Sequence, residues 1–127
     1  MIPTLIRAYE ASAAIDVFKI VTFSDVSASS KVATASVNTN PVLGVSGSMA
    51  TAIGDMVDVI QHGIGLVTLG GTVTAGAELT TNASGNAIAA VPTAAVFMSV
   101  VGKALQPGVS GDVIEVLVSP RAFYRGA

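Results

Sequence analysis

The chain has 127 residues, enough for one sizeable core, with a net charge of −2 and 11% charged residues against 51% hydrophobic ones. It has no cysteine, which excludes a disulfide framework, a thiolate metal site and a cysteine nucleophile. No Lys or Arg lies between Lys31 and Lys103, which argues against a nucleic-acid groove across the middle of the chain.

A typical soluble domain carries about 25% charged residues. A surface this poor in charge is kept wet by Ser, Thr, Asn and Gly or is covered by other chains. The second is favoured, because uncovered apolar surface aggregates. The longest apolar stretch, Ala87–Val101, is broken by Pro92, Thr93 and Ser99. It falls short of the ~20 apolar residues that a membrane helix needs. The N-terminus lacks the basic-then-apolar order of a signal peptide.

Met1–Ala14 has no clear period, and Pro3 discourages an early helix. The segment reads as an extended arm that docks on a partner, with a first strand as the alternative. Asp16–Phe23 alternates with apolar residues on both faces, the pattern of a strand well inside a sheet. Asp25–Ser30 is a polar turn, Lys31–Val37 a short strand, and Asn38-Thr39-Asn40-Pro41 a loop. Val42–Val45 is a strand, followed by the small-residue loop Ser46–Gly54. Met56–Ile60 and Ile64–Leu69 flank Gln61-His62-Gly63, which predicts a hairpin. Turns are expected at Ala75-Gly76 and Asn82–Asn86, and strands at Ala87–Val91, Val96–Val101 and Val113–Val118. The chain after Pro92 has room for one helical turn near Thr93–Phe97. Short Val-, Ile- and Thr-rich segments bounded by Gly, Asn and Ser predict an all-β, small barrel-like domain. The expected organisation is an arm at 1–14, a barrel at 15–119 and a tail at 120–127.

One pattern recurs. Gly54-Asp55-Met56-Val57-Asp58-Val59-Ile60 matches Gly111-Asp112-Val113-Ile114-Glu115-Val116-Leu117 residue type for residue type. Upstream, Val42-Leu43-Gly44 stands where Val100-Val101-Gly102 stands. This predicts a repeated strand–loop–strand unit related by a pseudo-twofold axis. Alternation then puts Val57, Val59, Ile114 and Val116 on the buried face, with Asp58 and Glu115 on the wetter one.

Groups with catalytic chemistry are scarce. His62 is the one histidine, so it has no His or Cys partner for a metal or a catalytic pair. Asp55, Asp58 and Glu78 match no calcium-loop spacing. Gly63-Ile-Gly65 lacks the third glycine of a dinucleotide fingerprint, and no phosphate loop or Gly-x-Ser-x-Gly elbow is present. The expectation is a protein that is not an enzyme, with no catalytic residues, no metal site and no cofactor. The termini carry the residue types of binding hot spots. Arg7, Arg121 and Arg125 are half of the six basic residues, and Phe123 and Tyr124 are among six aromatics. With Leu5, Ile6 and Tyr9 they form the expected set of partner contacts.

The run Gly102-Lys-Ala-Leu-x-Pro-Gly-x-x-Gly-Asp-Val-Ile-Glu-Val-Leu-Val-Ser-Pro120 resembles the C-terminal signature of the capsid cement (head decoration) proteins of tailed phages. That family was long catalogued as a domain of unknown function and at times mislabelled as a recombinase. The resemblance extends over Ala77–Ile88 and Val42–Ile60, about two thirds of the chain. It implies a β domain that oligomerises, as a homotrimer or a dimer, on the outside of a phage head. There it would bridge neighbouring major capsid protein subunits, with neither nucleic acid nor membrane as a partner. A tail, baseplate or fibre β module and a small ligand- or carbohydrate-binding barrel are the alternative readings.

Overall fold

The computed structural model describes residues 2–24, 31–91 and 97–124, and these contain nine strands and no helix. The expected polar turn at 25–30, the stretch 92–96 and Arg125 lie outside them. The strands are β1 (Ile2–Ala11), β2 (Ile20–Phe23), β3 (Lys31–Thr34), β4 (Val42–Ser46), β5 (Met56–Thr68), β6 (Glu78–Thr81), β7 (Ala87–Ala89), β8 (Phe97–Ala104) and β9 (Val113–Tyr124). They form one sheet in the order β1-β3-β2-β4-β5-β9-β8-β6-β7. Pairing of β1 with β5 closes the first five strands into a barrel.

The second half repeats the first. β5 opposite β9, β6 opposite β7 and β8, and β8 opposite β9 reproduce β1 opposite β5, β2 opposite β3 and β4, and β4 opposite β5. The parallel pair Ala11 with Val32 returns as the parallel bridge Leu69 with Ala87, which closes the second ring. Loop hydrogen bonds repeat as well. Ala11 N donates to Asp55 O at 2.9 Å and Leu69 N to Asp112 O at 2.7 Å; Ile15 exchanges bonds with Thr51 as Val73 does with Gly108. The predicted repeat is therefore present and larger than expected: the unit is five strands, and β5 serves both copies.

The cores repeat in the same way. One buried cluster holds Tyr9, Ala11, Ile15, Val21, Val32, Val57 and Val59. Their counterparts Val67, Leu69, Val73, Leu79, Ala87, Ile114 and Val116 all lie in the other cluster. As expected from alternation, Val57, Val59, Ile114 and Val116 are buried, while Asp58 is exposed and Glu115 half-buried.

Three sequence expectations change. Gln61-His62-Gly63 is not a hairpin turn, because β5 runs through it as one strand. Gly63 takes a φ of 101° there, and the pairing with β1 shifts register beside it. A glycine with positive φ in a strand makes a bulge as readily as a turn. The segment read as an arm is extended, but residues 2–10 pair along β5, Ala11 pairs with Val32 of β3, and Tyr9 and Ala11 enter the core. Arm and barrel are thus one unit. Pro120 does not end the last strand: β9 runs on to Tyr124 opposite the start of β8. The register shift between Val100 and Gly102 places Pro120 at a bulge, where a missing backbone N–H is tolerated.

Candidate partner-binding surfaces

The groups with catalytic or metal-binding chemistry are dispersed. His62 is exposed in mid-strand, with Nδ1 3.2 Å from Thr4 Oγ1. Asp112 is used by its own loop, its Oδ2 accepting from the Val109 amide at 3.0 Å. Glu78 forms an ion pair with Arg121 across the sheet. Among the described residues no three His, Cys, Asp or Glu side chains converge in a way that would hold a metal ion.

The expected contact residues divide. Leu5 and Ile6 are about half exposed on β1, at 51% and 50%, a large apolar display for neighbouring positions. Arg7 is exposed, with its guanidinium carbon 5.3 Å from the Tyr9 ring centroid. Tyr9 is not available to a partner. It is buried, packs edge-on against Phe23 at 6.0 Å, and its hydroxyl accepts from Gln61 Nε2 at 3.2 Å. Arg121 is exposed but bound to Glu78. The backbones of Phe123 and Tyr124 pair with Met98 and Phe97. Among the described residues Tyr9 is withdrawn into the core, while Leu5, Ile6 and Arg7 remain exposed on β1 and Arg121 on β9.

The structure also exposes a set that the sequence reading passed over. Met49, Ile53 and Met56 are 79%, 71% and 62% exposed, in and just after the loop that leads into β5. Together with Ile6, Asp55 and Asp58, Met49 and Met56 line an open groove of about 410 Å³. The corresponding loop before β9 exposes Leu105, Val109 and Val113, at 43%, 54% and 44%. Met56 and Val113 are counterparts in the repeat. The available signal was a large apolar residue set among Ser, Gly and Ala in a segment read as loop. Folding gives no reason to leave such side chains in water.

No family model matches the chain, and no curated protein matches it. Among solved structures, the chain is similar to the N base of head fibre gp8.5 of bacteriophage phi29. The TM-score is 0.67, with 18% sequence identity, over 91% of this chain and 93% of that one. At that identity the likeness is one of fold, and it spans both copies of the repeat.

Proposed function

We propose that the chain is a structural protein of a phage particle, a decoration protein that binds the outer surface of the head and bridges major capsid protein subunits. The observation that carries this reading is the likeness in fold to a head-fibre base over nine-tenths of both chains. The chemistry of the surface agrees with it. A duplicated barrel with 11% charged residues displays apolar side chains at corresponding loops of its two copies. Two weak contacts on a repeating lattice reinforce each other, because the second forms at high effective concentration. A protein that binds this way needs little charge and no catalytic group. Homo-oligomerisation, as a trimer or a dimer, would multiply the contacts further.

A second reading is favoured by the same likeness: the base module of a fibre that projects from the head. The two differ in what they do to the shell. Purified protein is mixed with expanded, undecorated capsids and sedimented. A decoration protein co-sediments at saturating, lattice-fixed stoichiometry and raises the capsid's resistance to heat. A fibre base co-sediments at few copies and leaves shell stability unchanged. Absence of co-sedimentation contradicts both. Met49→Glu and Leu105→Glu each weaken binding about 10-fold, and the double variant weakens it by more than either alone.

A further inference from the structure

In the first copy of the repeat the start of β5 has an open edge, and in the second copy the equivalent edge is covered. Ala11 N donates to Asp55 O at 2.9 Å, and bonded and non-bonded pairs alternate along an antiparallel ladder. Val57 and Val59 therefore bond to β1, while the N–H and C=O groups of Met56 and Asp58 point away from it, toward the side of β4. But β4 ends at Ser46, and its register on β5 covers Val59 and Ile60. Among the described residues nothing bonds the Asp58 N–H or C=O.

The second copy shows what fits there. Glu115, the counterpart of Asp58, accepts at its carbonyl from the Leu105 N–H at 3.0 Å, and its own N–H donates to Gln106 Oε1 at 2.8 Å. Leu105 and Gln106 follow β8 as Gly47 and Ser48 follow β4, yet Gly47 and Ser48 make neither bond. The uncovered edge borders the groove of about 410 Å³ that Ile6, Met49 and Met56 line. The titratable groups in that lining are Asp55 and Asp58 alone, and among the described residues neither is in an ion pair. Methionines adapt to apolar side chains of varied shape. Two carboxylates without a counter-charge favour a cation.

We propose that this groove takes an extended polypeptide segment of a partner protein, which adds as a strand to β5 at Met56–Asp58. The segment carries a Lys or Arg for Asp55 and Asp58 and an apolar side chain for Met49 and Met56. In strand addition the main-chain bonds give affinity, and the pockets for alternate side chains give selectivity. Here the main-chain partners are the Asp58 N–H and C=O, which the second copy saturates at Glu115 from within the chain. A free sheet edge invites such pairing, and this one carries two acidic groups and no Lys, so it excludes acidic segments and admits basic ones. The proposal concerns how a segment is held, whichever protein supplies it, and so stands apart from the capsid reading.

The test is an NMR titration of the isotope-labelled full chain with an acetylated, amidated hexapeptide of alternating Lys and Val. In the free chain the Asp58 amide is expected to exchange at least ~10-fold faster than the Glu115 amide. The peptide shifts the Met56 and Asp58 amide resonances and slows Asp58 exchange at least ~10-fold. The fully N-methylated peptide, which has no main-chain donor, and a peptide with Glu in place of Lys do neither. Asp58→Lys changes an exposed side chain, so circular dichroism should show the same β fold while peptide binding weakens about 10-fold. An Asp58 amide as protected in the free chain as that of Glu115 overturns the inference. So do resonances unmoved at millimolar peptide, or equal binding of the N-methylated peptide. Peptide binding by a chain that fails to co-sediment with capsids supports this inference and counts against the capsid reading alone.

Discussion

Gly44 and Gly102 are counterparts in the repeat, and neither has a positive φ. What holds them is space. A Cβ on Gly44 would lie 2.0 Å from the Ile60 carbonyl oxygen, and one on Gly102 the same distance from that of Leu117. Because Ile60 and Leu117 are themselves counterparts, the same close approach of two strands is built twice. Gly54 and Gly111, also a pair, are kept for the opposite reason: φ is 86° and 93°, and nothing lies within 4 Å. Alanine at Gly44 or Gly102 is therefore predicted to cost at least ~2 kcal/mol, since backbone has to move. Alanine at Gly47, where an added Cβ meets nothing within 4 Å, is predicted to stay within about 0.5 kcal/mol of wild type. Urea titrations of the three variants check this. Equal stability of Gly44→Ala and Gly47→Ala would contradict the packing argument. The repeated glycines were visible in the sequence, but their reason was not, because a backbone oxygen opposite a glycine is a tertiary fact.

At the scale of elements, local pattern was informative where a strand has one dry face and misleading where it serves two partners. Val57, Val59, Ile114 and Val116 read correctly as buried because alternation reports a single wet face. β5 did not read as one strand. Its first part belongs to one barrel and its second to the other, and Gly63 marks the change of partner rather than a turn. β1 was harder still. Leu5, Ile6 and Tyr9 look alike in composition, yet the first two face solvent and the third the core. Only the pairing with β5 assigns them. Removing residues 2–11 should therefore do more than remove a docking segment. It opens the first barrel, uncovers the edge of β5 and takes Tyr9 and Ala11 out of the core. Burial of a single large apolar side chain is worth about 1.5–3 kcal/mol, and a domain is stable by only about 5–15 kcal/mol. The truncated chain is predicted to lose amide protection at Val57 and Val59 in hydrogen exchange. Wild-type protection there would show that β1 is dispensable to the barrel. Leu5→Glu and Ile6→Lys, which change exposed side chains only, are the better probes of β1 as a contact surface.

For the whole molecule, the sequence carried the fold class and half of the repeat. The first part of each unit escaped because β2, β3, β6 and β7 are short and its equivalences are in hydrogen bonding rather than in residue type, as with Ala11 and Leu69. The surface was the least legible part. Low charge raised the expectation of a covered surface, but the loops that display Met49, Ile53, Leu105 and Val109 became apparent only once their exposure was known. Duplication gives those loops their meaning in the proposed role, since two apolar loops on one chain suit a partner that presents itself repeatedly. Electron cryomicroscopy of expanded capsids incubated with the purified protein tests this most directly. The account predicts density for the double barrel at regular positions on the outer shell, with the Met49–Ile53 and Leu105–Val109 loops against major capsid protein subunits. Bare shells at saturating protein, or density confined to the capsid interior, would contradict it.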